Sequence, residues 1–179
     1  MKRKSMIGAL AVIAVAAASL TALSAVLAPM AQRNVERERG EMLALLLPGS
    51  TTFTSEAYSG EGESISAVYK GEGGFVVETV TSGYAGDITL FVGVSSGGEV
   101  TGVVVRDLKE TYGLGANALR DTEFLSQFLH TTGEAAVGET VDAMTGATVS
   151  SKAIARGVNA AVGFVIGADV TSSATEWEG

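Results

Sequence analysis

Cysteine is absent from the 179 residues. That excludes disulfides, thiolate metal sites, iron–sulfur clusters and thiol catalysis, and it is compatible with an oxidising compartment without requiring one. Histidine occurs once, as His130, and aromatic residues make up only 6% of the chain. Basic charge is scarce and unevenly placed. The formal net charge is −8, yet Lys2, Arg3 and Lys4 cluster at the start with no acid before Pro29, which leaves 20 acids against 9 bases over residues 29–179, a net of −11. With no basic stripe to release counterions from phosphates, nucleic acid is excluded as a partner. Docking of this acidic portion on an anionic lipid surface is disfavoured for the same reason. What the chain has in quantity is glycine, 23 residues, which suits a small fold with many tight turns. Its length predicts one domain with an appendage.

The appendage is N-terminal. Ser5 to Ala28 is a run of 24 residues without a charge, which as a helix reaches roughly 36 Å at about 1.5 Å per residue, enough to cross a bilayer core. A cleaved signal peptide is the competing reading. However, the best small-residue pattern, Val26-Leu27-Ala28, is followed directly by Pro29, which disfavours cleavage. A membrane anchor is therefore expected, with Lys2-Arg3-Lys4 cytoplasmic and everything after Pro29 outside the cytoplasm.

Ala31 to Leu47 reads as a helix that begins charged, ends apolar in Met42 to Leu47, and stops at Pro48-Gly49. Its polar half suits a stalk and its apolar half a docking surface. Strands are expected over Phe75–Val80, over the alternating stretch from Ile88 to Val94, and over Val100–Val105, with a hairpin turn at Ser96-Gly97-Gly98-Glu99. Two helices follow. One runs from about Asp121 to His130, with Phe124, Leu125, Phe128 and Leu129 on one face. The other runs from about Ser151 to Ile166, with a stripe of Ile154, Val158, Ala161, Val162 and Val165. The class implied is α+β, with a mostly antiparallel sheet and flanking helices. The tail from Thr171 is polar and expected to be flexible.

The stretch Asp142-Ala143-Met144-Thr145-Gly146-Ala147-Thr148-Val149-Ser150 carries the chemistry. Hydroxyl and small residues stand just ahead of an amphipathic helix, whose N-terminus offers unpaired N–H groups and a positive dipole end suited to a phosphate. Ser150 or Ser151 is a natural N-cap. Gly146 and Ala147 let the backbone approach a ligand, and Lys152 in the first turn adds a positive charge. From spacing alone two readings stand, ordinary helix capping and a phosphate site. No strong base lies near Thr148 in sequence, and His130 is expected to close the preceding helix and interact with its dipole rather than to act as a catalyst. No metal site and no catalytic residue is expected.

The Asp142–Thr148 stretch resembles the flavinylation motif of the FMN-binding domain family: an Asp, two free positions, Ser or Thr, then Gly-Ala-Thr. Two further segments resemble the same family in the same order. Gly83-Tyr84-Ala85-Gly86 is similar to its Gly-Tyr-Gly-Gly strand entry. Lys109-Glu110-Thr111-Tyr112-Gly113-Leu114-Gly115 is similar to its Glu-Thr-Pro-Gly-Leu-Gly loop, with Tyr112 where the family has Pro. The resemblance implies FMN held covalently through its phosphate on Thr148, attached by a separate flavin transferase that uses FAD and reads the motif. It implies that Asp142, Thr145, Gly146, Ala147 and Lys152 surround that attachment, and that Glu110, Thr111, Leu114 and Gly115 lie against the flavin.

A short chain with one N-terminal span and one such domain is similar to the flavin subunits of Rnf-type complexes, which couple electron flow between ferredoxin and NAD to ion movement. The runner-up is the flavin subunit of sodium-translocating NADH:quinone reductases, usually longer. The implied partners are the other subunits of such a complex, the flavin transferase and the membrane, and the implied role is a redox subunit rather than a stand-alone enzyme. The organisation expected is a cytoplasmic tip and anchor over 1–28, a stalk and docking helix over 29–50, an FMN-binding domain over 51–170 and a tail over 171–179. A non-catalytic extracytoplasmic binding module, with Thr148 as a capping residue, is the alternative from another class.

Overall fold

The structure is a computed structural model and describes residues 33–58, 64–108 and 121–167. The expected span over 5–28, the Lys109–Gly115 loop and the tail from Thr171 lie outside the described residues. The chain divides into two compact units, Met1–Glu41 and Met42–Gly179.

In the first unit, helical residues 33–38 are exposed and mostly charged, with Arg37 paired to Glu41 one turn on. The helix, α1, extends to residue 46. Its last turn belongs to the second unit, a five-stranded antiparallel sheet in sequential order: β1 (Thr54–Glu56), β2 (Ile65–Lys70), β3 (Gly74–Ser82), β4 (Asp87–Ser95) and β5 (Val100–Leu108). Helices α2 (Thr122–Ser126) and α3 (Thr148–Ile166) complete the fold. The α+β class is as expected.

Period-two alternation gives the sheet two buried faces. Ile88, Leu90, Val92 and Val94 of β4 join Val77, Phe124, Phe128 and the α3 stripe in the main core. The alternate residues Phe91 and Val76 meet Leu43, Leu46 and Leu47 in a second cluster, so the apolar end of α1 docks as its sequence predicts. Close approach there depends on Gly93. A Cβ at that position would lie 2.0 Å from the Leu46 carbonyl oxygen, which instead accepts a hydrogen bond from the Thr101 hydroxyl. That hydroxyl satisfies one of the carbonyls that a helix C-terminus leaves without an intrahelical donor.

Three expectations change. The pairing of β1 with β2, and of β2 with β3, was not anticipated. The helix expected from Asp121 to His130 is regular only over Thr122–Ser126, with Asp121 as its N-cap, its carboxylate accepting from the Phe124 N–H at 2.9 Å. Successive i→i+3 bonds then carry the chain to His130, which takes a left-handed φ of 66°. His130 does not close a helix. Its N–H donates to the Val100 carbonyl while its ring meets Glu99, both exposed. Finally, α3 begins at Thr148, not Ser151.

Candidate functional site

The register shows which end of the sheet matters. Thr79 of β3 faces Gly157 of α3, where a Cβ would stand 2.8 Å from the Thr79 hydroxyl. Two residues on, the Thr81 hydroxyl donates to the Ala153 carbonyl at 2.9 Å. β3 therefore runs towards the N-terminus of α3, and the Gly83–Gly86 turn, closed by a Gly83 N–H bond to the Gly86 carbonyl, falls at that end. Arg156 binds the Ser82 carbonyl at 2.9 Å and ties the same turn to the helix. β5 finishes there too, since Leu108 pairs with Ile88. Thus the Gly83 segment, the departure point of residues 109–120 and the head of α3 converge. Glu110, Thr111, Leu114 and Gly115 themselves lie outside the described residues. His130, beside Val100 at the opposite end of β5, stands apart from this convergence.

At the head of α3, Met144 to Ala147 forms a turn in which the Ala147 N–H donates to the Met144 carbonyl at 3.0 Å. Gly146 occupies the third position with φ 74°, the left-handed conformation that a type II turn demands and that glycine adopts without strain. Met144 and Ala147 are buried, while Asp142, Thr145, Gly146 and Thr148 are exposed. The burial period of three leaves the polar residues on the outside and anchors the turn with the apolar ones.

Neither Ser150 nor Ser151 caps the helix. Ala147 is the N-cap and supplies no side-chain acceptor. Both serines are buried inside the first turn. Ser151 reaches back, its hydroxyl donating to the Ala147 carbonyl at 2.9 Å and accepting from the Met144 N–H at 3.0 Å. Ser151 therefore fastens the turn, and among the described residues nothing caps the leading N–H groups of α3. A helix N-terminus left in this state favours an anion. Lys152, half-buried, follows Thr148 by four residues and so shares its face.

Two more side chains were not foreseen. Gln127, at the end of α2, accepts from the Asp142 N–H at 2.8 Å and donates to the Asp142 carbonyl at 3.5 Å. Asn159, buried on α3, makes the same two-sided contact with the backbone of Ala135 at 3.1 and 2.9 Å. The signal for Asn159 was a lone amide on an apolar stripe. Gln127 gave none. A cleft of about 500 Å³ opens between α2 and the turn, lined by Asp121, Glu123, Phe124, Gln127, Asp142 and Thr145 among others. Among the described residues, no group of three carboxylate, imidazole or thiol side chains is placed to hold a metal ion.

The fold and this end of the sheet define a small α+β domain that presents a threonine hydroxyl on an uncapped helix N-terminus. The model of the FMN-binding domain family matches residues 83–163, which contain all three converging segments. The G component of the proton-translocating ferredoxin:NAD(+) oxidoreductase complex of Clostridium ljungdahlii is 39% identical over 95 residues, 49% of this chain and 51% of that protein. The G component of the Na(+)-translocating ferredoxin:NAD(+) oxidoreductase complex of Acetobacterium woodii is 37% identical over 103 residues, 50% and 47%. The G component of the ion-translocating oxidoreductase complex of Methanosarcina acetivorans is 33% identical over 142 residues, 72% and 75%. The chain spans about half the length of the first two relatives and three quarters of the third. It belongs to the FMN-binding domain family and groups there with the G components of ion-translocating oxidoreductase complexes.

Proposed function

We propose that the chain is the FMN-bearing, electron-carrying subunit of an ion-translocating ferredoxin:NAD oxidoreductase complex, with FMN esterified through its phosphate to Thr148. The observation that carries the reading is the head of α3: an exposed Thr148 as first helical residue, behind an N-cap that offers no side-chain acceptor. The residues present fit the group. A phosphodiester on Thr148 would supply acceptor oxygens at a helix N-terminus whose N-cap, Ala147, offers none. Gly146 keeps side-chain bulk away, and Lys152 adds a positive charge one turn along. The dipole end of a helix stabilises one negative charge by only about 0.3–1 kcal/mol, which is too little to retain a flavin. The ester makes affinity unnecessary, an advantage where free flavin is scarce.

Attachment is a phosphoryl transfer. The Thr148 Oγ1 attacks the flavin-side phosphorus of FAD, the anhydride bond breaks, AMP leaves, and the hydroxyl proton passes to a base of the transferase. The described residues around Thr148 include no imidazole, in keeping with an external catalyst. When bound, FMN supplies the capacity to accept and pass on electrons. The chain's residues orient it and tune its electronics. The Gly83–Gly86 turn and the end of β5, which lie at the head of α3, support a role for Asp142, Thr145 and Ala147 in holding it, and the resemblance to the family extends that role to Glu110, Thr111, Leu114 and Gly115. The uncharged run Ser5–Ala28 supports a single-pass anchor in the plasma membrane, with the flavin domain extracytoplasmic and the remaining subunits of the complex as its partners. Among the described residues no helix is long and apolar enough to cross a membrane.

The test is chemical. Chain produced with a flavin transferase should keep its yellow colour after denaturation and gain the mass of FMN less one water, and Thr148→Ala should lose both. Flavin that separates on denaturation overturns the ester.

A further inference from the structure

Asp142 opens the modified stretch, yet its carboxylate does nothing for the fold: it is exposed, and among the described residues it accepts no hydrogen bond and joins no ion pair. Its backbone is treated differently. Gln127, fifteen residues earlier on another element, engages both polar groups of that one residue, accepting from its N–H at 2.8 Å and donating to its carbonyl at 3.5 Å. Both side chains line the cleft beside the turn. Two residues further, Met144 plugs the core, and its N–H is held by Ser151. The carboxylate is thus projected from a backbone clamped on both sides, and among the described residues the acid itself has no partner.

We infer that Gln127 is a positioning residue for the modification of Thr148, presenting Asp142 to the flavin transferase as part of a prefolded surface. The inference rests on the Thr148 reading proposed above. A residue whose backbone is already fixed loses less conformational freedom when it is bound. Removing the clamp should weaken recognition of the acceptor protein without altering the hydroxyl that reacts. The clamp lies at the surface, where water replaces a lost hydrogen bond, so its removal should change stability little.

The experiment follows covalent flavin fluorescence on denaturing gels, using the full chain, purified transferase and FAD, over a range of acceptor concentrations. Gln127→Leu, similar in size but unable to donate or accept, should raise KM for the acceptor chain about tenfold and leave kcat close to that of the unaltered chain. Gln127→Glu keeps the acceptor for the Asp142 N–H and should lie between the two, and it carries the test if Gln127→Leu does not fold. Asp142→Asn should raise KM by a similar factor. Because Gln127 acts through Asp142, the double variant should be no worse than Asp142→Asn alone. An unchanged KM in Gln127→Leu, a loss confined to kcat, or additive effects in the double variant overturns the inference while leaving the ester intact. Labelling that persists in Thr148→Ala overturns the ester, and this inference with it.

Discussion

A single hydroxyl can be an asset or a defect depending on what it meets. Thr81 and Thr79 are both buried on the α3 face of β3, but the first donates to Ala153 and the second has no partner among the described residues. A buried polar group without a partner costs about 1–3 kcal/mol, whereas a made hydrogen bond contributes about 0.5–1.5 kcal/mol net. Thr79→Val should therefore leave stability unchanged or raise it by about 1 kcal/mol, and Thr81→Val should lower it by a similar amount, both read from chemical denaturation midpoints. Glu72 illustrates charge at the same scale. Its carboxylate accepts from the Thr51 N–H at 3.0 Å and the Thr52 hydroxyl at 2.9 Å. Backbone and hydroxyl donors hold its pKa down from 4.5 to about 2. A lowered folded-state pKa contributes stability that is fully present above the unfolded value and disappears as pH falls through the folded one. The melting temperatures of the unaltered chain and Glu72→Gln should thus differ most at neutral pH and converge between pH 4.5 and about 2; a difference that grows on acidification would refute the assignment. Local backbone chemistry was legible in the sequence, as in the glycine turn just ahead of α3. The roles of Gln127 and Asn159 were not, because their partners lie 15 and 24 residues away and only the folded chain brings them within reach.

Among the elements, α3 carries the most. Its stripe buries Ile154, Val158, Ala161 and Val162 completely and Val165 in part. Gly157 sets its distance from the sheet. In an exposed helix Gly→Ala gains about 1 kcal/mol. Here the added Cβ would stand 2.5 Å from Leu90 Cδ1 and 2.8 Å from the Thr79 hydroxyl, and overpacking of that kind costs about 1–3 kcal/mol. Gly157→Ala should therefore destabilise. Ile154→Ala should cost about 2–5 kcal/mol through lost burial and a cavity, and flavin loading should fall with it as the head of the helix loosens. Lys152→Ala, at a half-buried position one turn after Thr148, should leave the melt nearly intact. If Lys152→Ala unfolds the domain while Ile154→Ala is harmless, the helix has been assigned the wrong face. The β3–β4–β5 meander and the α3 stripe were legible because their apolar period matches their geometry. β1 and β2 were not: β1 is three exposed residues, and β2 buries only Val68, so neither shows an alternation to read. The α2 region misled for a related reason. Its i→i+3 bonds preserve a helix-like spacing of Phe124 and Phe128 after the regular helix has ended.

At the scale of the whole molecule, charge separates two regions of opposite character. All three bases before Pro29 lie at the extreme N-terminus, and the remainder of the chain is strongly acidic. Cytoplasmic retention of Lys and Arg beside a span orients a single-pass protein, and here the cluster and the uncharged run from Ser5 to Ala28 agree on one direction. On the proposed topology the FMN-binding domain would lie outside the cytoplasm, where a lost cofactor is not replaced and a covalent tether would serve best. The orientation is open to a direct check. Protease added to intact spheroplasts should degrade the part of the chain after Pro29 and with it the flavin-bearing fragment, while a cytoplasmic marker survives. Replacing Lys2, Arg3 and Lys4 by Asn should weaken that orientation and yield a protected fraction. A domain that resists protease in intact spheroplasts, yet is cut once they are lysed, would place the flavin on the cytoplasmic side. Electrons would then have no need to leave the cytoplasmic face to reach this subunit, and the physical case for tethering FMN through Thr148 would have to rest on orientation of the ring rather than on retention.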